Sequence, residues 1–506
     1  MCCFSVAEQP HLLKYELELR IKVALFSHIP LSPSVIFGGS GAFWVMRFSL
    51  KSALRTAVAA GVLTLVSGVS LPMRSAQAET IKEALSLAYS NNPTLNAARA
   101  ELRGVDERVP QALSGWRPNV SASAEIGRIR STADGLESYR TNSSMALNVS
   151  QALFRGFRTV NSTQQAEALV RAQRASLLAT EQDVLLSAAQ SYVDVIRDTA
   201  LVSLQRSDLQ FLQEQVRAAN DRFEVGEGTR TDVSQAEARA AEARANVNSA
   251  LANLNASRAI YRQVVGTDAK NLSADTFVET VVPNSLDQAL GVSTSTQPLI
   301  IQSQHLVDAA VYNIKTIEGE LLPTVTLDGS VSRTWEPSAT VGTSNNASIF
   351  GRVNIPIYQG GGVSSRVRQA KQELGQARLQ LDVIRDQVRA NVISAWGNYQ
   401  AAGASIEAAR AAVEASKLAL EGVIEEQRVG QRTTLDVLDA QRELVNQRVN
   451  LVTAQRNRIV SGYQLVSSIG QLDANSLNLS VARYNPQENY KAVRDQWFGL
   501  RTPDGR

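Results

Sequence analysis

Two stretches of the chain, VGEGTRTDVSQA from Val225 to Ala236 and VGQRTTLDVLDA from Val429 to Ala440, are the same joint written twice, 204 positions apart. In each, a Val-Gly pair ends one helical run. A Thr-x-x-Asp box then opens the next: the Thr hydroxyl caps a backbone N–H and the acid three positions on reaches back to the cap. What surrounds the joints is helical too. Proline is absent from 119–282 and from 357–485, and both runs are rich in Ala, Gln, Arg, Glu and Leu, the composition that long helices require. Val367, Ala370, Leu374, Ala377, Leu381, Ile384 and Val388 step by three and four, and Leu438, Val445, Val452, Ile459 and Val466 recur every seven. Asn391, Gly397 and Gly403 interrupt this seam, so the helices pack by knobs into holes without forming a perfect coiled coil. Helices over 158–225 and 363–429 would each be on the order of 100 Å long. A globular domain has no use for such lengths, and each long helix would turn back into an antiparallel partner of about 35 residues.

Ahead of each long helix the period changes from 3.6 to 2. Val120, Ala122, Ala124 and Ile126 alternate with Ser121, Ser123 and Glu125, and Met145, Leu147 and Val149 with Ala146, Asn148 and Ser150. The second half repeats this with Val325, Leu327 and Val331, then Ile349, Val353, Ile355 and Ile357. Four strands in two hairpins follow. The joints match as well, Leu153-Phe154-Arg155-Gly156 answering Ile357-Tyr358-Gln359-Gly360. Such strands fit either a half-buried sheet on a soluble core or the wall of a membrane barrel. Trp116, Tyr139, Phe154, Phe157, Trp335, Phe350 and Tyr358 lie near strand ends, as in an aromatic girdle.

The N-terminus favours the membrane. From Met46, Arg47, Lys51 and Arg55 form a basic region, 57–71 an apolar one, and Ala76-Gln77-Ala78 a cleavage site, the pattern of an export signal. The apolar run is shorter than the ~20 residues that span a bilayer. Residues 1–45 precede this signal and read as a mis-assigned start, with translation expected from Met46. Both cysteines, Cys2 and Cys3, fall there, so the exported chain is expected to have no disulfide. Residues 79–506 hold 44 Lys/Arg and 45 Asp/Glu, which leaves no nucleic-acid footprint. Four strands cannot close a barrel, and open edges in lipid leave backbone groups unsatisfied. Several copies must therefore share one barrel: two would give about eight strands and three about twelve.

From the opening IKEALSLAYSNNPTLNAARAEL (Ile81–Leu102), through LNVSQALFRGF and VNIPIYQGGG, to both VGxxT turns, the chain resembles the TolC family of outer-membrane efflux factors over essentially all of 79–506. The resemblance implies a mostly α fold with a membrane β-barrel portion. A homotrimer would form a twelve-stranded outer-membrane barrel continued by a long periplasmic α-helical barrel, built from an internal duplication. The organisation expected is 1–45 extension, 46–78 signal peptide, 79–297 first repeat, 298–470 second repeat and 471–506 C-terminal segment. Within the first repeat come a strand pair at 118–154, a long helix at 158–225 and a return helix at 229–265; within the second, 322–358, 363–429 and 433–470. Residues around 266–300 and the tail from about 471 would form an equatorial girdle. The implied function is an exit duct for drugs, other toxic compounds or polypeptides. It would work with a periplasmic adaptor and an inner-membrane RND-type or ABC-type pump, and would sit in outer-membrane lipid and extend into the periplasm.

The resemblance also assigns the turns. Asp436 and Asp439, three apart on one helical face, would form the periplasmic constriction, six carboxylates in a trimer. Asp439 is Gln235 in the first copy, and Arg432 answers Gly228. Asp436 and Asp439 read as a like-charge pair costing a few tenths of a kcal/mol, tolerated because it is used. Arg432, Thr231 and Asp232 map onto links between neighbouring helix pairs in the closed state, and the family's gate tyrosine falls at Gln427. Gly226, Thr229, Gly430 and Thr433 shape the tips where an adaptor would dock. Enzyme chemistry is not expected: 79–506 contains one histidine, His305, no cysteine, and no metal, cofactor or nucleophile motif. An exported coiled-coil structural or adhesive protein is the competing reading, and it has no need of lipid-compatible strands.

Overall fold

The computed structural model describes residues 78–274, 280–338 and 341–505. The expected extension and signal peptide lie outside the described residues apart from Ala78. Helices α1 (Ile81–Asn91), α2 (Pro93–Asp106) and α3 (Arg108–Leu113) lead into strands β1 (Asn119–Ala133) and β2 (Leu136–Arg155). Then come α4 (Arg158–Glu224), 67 residues, and α5 (Arg230–Val265), 36 residues. The order repeats: α6 (Leu286–Thr296), α7 (Pro298–Glu318), β3 (Thr324–Ser338), β4 (Val341–Asn354), α8 (Gly362–Arg428), again 67 residues, and α9 (Thr434–Ser468), 35 residues. A short α10 (Pro486–Arg494) follows. At ~1.5 Å per residue the two long helices each run about 100 Å.

The four strands form one antiparallel sheet in the order β1-β2-β3-β4, so β1 and β4 are edges with a partner on one side only. Register makes the alternation continuous across the sheet. Ala122, Leu147, Val331 and Ala347 align in one row, and Val120, Val149, Gly329 and Ile349 in another. This apolar face has no cover within the chain: Val120 and Val331 are 61% exposed and Ile349 78%. On the other face Ser150 donates to Asp328 at 2.6 Å and the Ser330 and Ser348 hydroxyls meet at 2.8 Å. The sheet thus leaves its oily side uncovered and hydrogen-bonds its polar side to itself.

Below the sheet, the heptad positions are the buried stripe: Val367, Ala370, Leu381 and Val388 on α8, and Leu438, Val445 and Val466 on α9. Gly403 leaves room for Arg458, whose guanidinium lies 3.4 Å from the Tyr399 ring centroid. The two hairpins are joined where Arg456 of α9 pairs with Asp194 of α4 at 2.8 Å. The largest core is where α1 and α2 wrap α4: Leu85, Leu95 and Leu102 pack on Leu185, Tyr192 and Tyr261, with Tyr463 and Val466 of α9. Residues after 471 close this core through Leu472, Leu477 and Leu479. His305 sits on α7 with Nδ1 3.4 Å from Asp308 Oδ2. Among the described residues no helix is long and apolar enough to cross a membrane, and no group of three or more His, Cys, Asp or Glu could hold a metal ion.

One buried acid ties the segment after 471 to α4. Glu181 of α4 accepts the Ala474 N–H at 2.8 Å, and burial, helped by the charge of Asp473, pushes its carboxyl up to about 7 against the pull of that N–H and of Arg99. A carboxyl raised above its unfolded value near 4.5 contributes most at low pH and loses that contribution as pH climbs through the folded value. Glu181→Gln keeps an acceptor without a charge to bury. It is expected to match wild type at pH 5 and to exceed it at pH 8.5 by on the order of 3 kcal/mol, read as the difference in thermal midpoint of the detergent-solubilised protein at the two pH values.

Candidate functional site: the turn ends of the two helical hairpins

Both turns are built from the residues that demand them. Gly226 and Gly430 take φ of +82° and +78°, which lets the chain leave the long helix sharply. The amides that follow are satisfied by helix carbonyls: Glu227 donates to Arg222 at 2.8 Å and Gln431 to Glu426 at 2.9 Å. Both capping boxes form. Asp232 N–H donates to Thr229 Oγ1 at 3.2 Å while Thr229 N–H donates to Asp232 Oδ2 at 3.0 Å; the Asp436/Thr433 distances are 3.3 and 2.8 Å. These hydrogen bonds hold both carboxyls below the usual range, led by the Thr433 backbone N–H for Asp436 and by the Thr229 side chain for Asp232. Both stay anionic at any physiological pH.

The other predicted residues find local partners. Arg432 Nε lies 2.9 Å from Glu426 Oε2, within its own hairpin, and Gln427 Nε2 donates to Thr434 Oγ1 at 3.2 Å across the same turn. Within one chain, Arg432, Thr231 and Asp232 are therefore not drawn into one cluster. Asp439 changes the sequence reading most. Its Oδ1 is 3.1 Å from Arg239 Nη2 of α5 and 3.8 Å from Arg442. Asp436 and Asp439 are thus not an uncompensated like-charge pair, because one belongs to a cap and the other to an ion pair between hairpins.

Arg239 and Glu426 are the residues that the sequence reading missed. Arg239 is placed by the packing beneath it: Leu438 inserts among Leu212, Ala236, Ala240 and Ala243, so the next residue, Asp439, emerges beside α5. Gln441 then donates to the buried Asp208 of α4 at 2.7 Å, a second polar tie between hairpins. A narrow cavity of about 130 Å³ remains there, lined by Asp208, Arg239, Gln441 and Arg442 among others.

The chain thus joins an uncovered apolar sheet to two helical hairpins, each a 67-residue helix with a shorter return helix and a Thr-capped turn at its end. The family model for outer membrane efflux proteins matches residues 84–270 and 291–471. The chain is 44% identical over 462 residues to the outer membrane efflux protein BepC of Brucella suis biovar 1 (strain 1330), covering 91% of this chain and all of that one. It is 27% identical over 435 residues to the outer membrane protein TolC of Escherichia coli (strain K12), covering 82% and 87%. Among solved structures, the Campylobacter jejuni CmeC outer membrane channel superposes with a TM-score of 0.69 at 17% identity, over 82% of this chain and 89% of that one. The chain belongs to the outer membrane efflux protein family. It is an outer-membrane protein whose helical part extends into the periplasm, and the members of its family are channels rather than enzymes.

Proposed function

We propose that three copies of this chain form the exit duct of a tripartite efflux system, a twelve-stranded barrel in the outer membrane continued by a helical tunnel through the periplasm. The observation that carries this reading is the sheet: one continuous exposed apolar face, a self-bonded polar face, and two unpaired edges. An open edge in lipid is costly, and pairing β4 of one copy with β1 of the next removes every edge. The coiled-coil structural alternative leaves that apolar face without a purpose. The two halves, 79–297 and 298–470, are copies of one ancestral unit, with 471–506 as a closing segment; the matched element order and the paired 67-residue helices support this.

In this duct Asp436 and Asp439 form the periplasmic constriction, and Arg432 of one copy engages Thr231 and Asp232 of a neighbour in the closed state. Gln427 makes a weaker latch than a tyrosine there, since its amide is already engaged by Thr434. The tips around Gly226, Thr229, Gly430 and Thr433 receive a periplasmic adaptor. That adaptor connects the duct to an inner-membrane pump of RND or ABC type and opens the tip by binding the splayed form better than the closed one. No catalytic step is required of the chain. Single-channel recording in planar bilayers, with native mass of the solubilised oligomer, tests the reading: a trimer with small, cation-selective conductance is expected. A monomer that needs no detergent, or a protein without channels, overturns it.

A further inference from the structure

The C-terminal residues Trp497-Phe498-Gly499-Leu500 are used neither by the barrel nor by the tips. They are delivered to a defined place. Helix α10 docks on the girdle through Tyr490, which packs with Val109, Ala166 and Val170, and through Asn489, which donates to Asp106 at 2.9 Å. Beyond it, Arg117, two residues before β1, donates to the Gln496 carbonyl at 2.7 Å, and its guanidinium lies 5.1 Å from the Trp497 ring centroid. The tail is therefore pinned at the foot of the β1 edge. Its apolar side chains have little cover: Trp497 is 64% exposed, Phe498 90%, and Leu500 fully.

A second uncovered apolar segment lies at the foot of the other edge. Past β4 the chain runs Ile355-Pro356-Ile357-Tyr358, with Ile357 95% and Tyr358 85% exposed. Within one chain the two feet are separated by the whole sheet, three spacings of ~4.8 Å. Between copies of the barrel proposed above they would meet. The strands alternate in direction, so a β4 edge joins the next β1 edge antiparallel. The start of β1 then lies beside the end of β4, as the start of β3 already does in the pair Thr324 and Asn354. In that barrel one strand spacing, ~4.8 Å, would separate the pinned tail from Ile355–Tyr358 of the adjacent copy.

We propose that Trp497–Leu500 is a clasp that closes over the Ile355–Tyr358 segment of the adjacent copy and locks the subunits at the base of the barrel. The inference rests on the multi-copy barrel proposed above, and its occupant is a second copy of this chain. Two uncovered aromatic and aliphatic segments held one strand spacing apart remove each other from water, and aromatic side chains give such contacts their specificity.

The test places one cysteine on each side, Phe498→Cys with Ile357→Cys, in the full chain with Cys2 and Cys3 changed to Ser. A disulfide forms only where Cα atoms come within about 7 Å, which the distance across one sheet excludes within a chain. Mild oxidation is expected to give covalent dimers and trimers on a non-reducing denaturing gel, reversed by reductant, with neither single cysteine giving trimers. Independently, Trp497→Ala with Phe498→Ser and Leu500→Ser is expected to speed subunit dissociation in detergent at least about tenfold. An oligomer of wild-type mass with no cross-link and an unchanged dissociation rate overturns the clasp. In that case, quenching of Trp497 fluorescence by brominated phospholipid would assign the tail to the bilayer instead. A wild-type chain that forms no oligomer overturns the barrel reading, and the clasp with it.

Discussion

Gly156→Ala is expected to lower the thermal midpoint of the solubilised protein far more than Gly360→Ala, although the two glycines hold corresponding positions in the two strand-to-helix joints. Both have positive φ, +60° and +63°, so both substitutions carry the left-handed penalty of roughly 1–2 kcal/mol. Only Gly156 adds a collision. A Cβ there would lie 2.2 Å from the Gly319 carbonyl oxygen and 2.9 Å from Leu322 Cβ, whereas a Cβ on Gly360 meets nothing within 4 Å in the chain. The obstruction is backbone, which cannot swing aside, and it is reciprocal: a Cβ on Gly319 would lie 2.3 Å from the Gly156 oxygen. Forcing the joint open adds about 1–3 kcal/mol, giving a total of roughly 2–5 kcal/mol against about 1–2 for Gly360→Ala. The joint matters because it sets the exit of β2 against the entry of β3, the one strand pairing that connects the two halves of the sheet. Loss of the β2–β3 pairing should therefore accompany the loss of stability, seen as faster amide exchange at Phe154 and Val325. Equal midpoints for the two alanine variants would mean that the joint yields without cost.

The contrast between these glycines shows where the sequence stops being readable. The helices can be read because their signals are local: proline-free runs, three-and-four spacing, and Thr-x-x-Asp boxes bounded by glycine. Observed ends differ from the expected ones by a residue or two, because the cap residues Thr229 and Thr433 stand outside the helices that they start. Strand alternation is local as well, and it anticipated the apolar face. The fourth strand nevertheless stops at Asn354, short of Ile355 and Ile357, which the alternation places in it, because Pro356 cannot donate to the ladder. What could not be read depends on register between distant segments. Gly156 and Gly360 look alike until the close approach of Gly319 separates them. Asp439 looked like half of a repulsive pair because its partner, Arg239, is 200 positions away, on the other hairpin. A helical wheel places Asp439 on a face of its own helix but says nothing about which residue of α5 stands opposite. That depends on the depth at which Leu438 seats in the first hairpin.

That ion pair sharpens what the constriction residues are expected to do. Asp436→Ala with Asp439→Ala should abolish cation preference in single-channel recording at 0.1 M salt, bringing the cation-to-anion permeability ratio close to one, because it removes the carboxylates of every copy from the narrowest part of the proposed duct. Arg239→Ala should act in the opposite sense. It frees Asp439 of its nearest cation and leaves only Arg442 at 3.8 Å, so the field at the tip becomes more negative and cation preference rises. The effect is electrostatic, so it should fade in 1 M salt, where the screening length falls from about 10 Å to about 3 Å. Arg239 is only partly buried, and the pair contributes at most ~1 kcal/mol to stability, so the variant should still fold and assemble. If the double variant keeps wild-type selectivity at low salt, the acids at 436 and 439 do not line the path and the constriction lies elsewhere. If instead Arg239→Ala raises conductance at unchanged selectivity, the pair serves mainly as a strut between the hairpins. Its rupture would then be a step in opening, with Asp439 passing from Arg239 to the ion stream as the second hairpin moves outward.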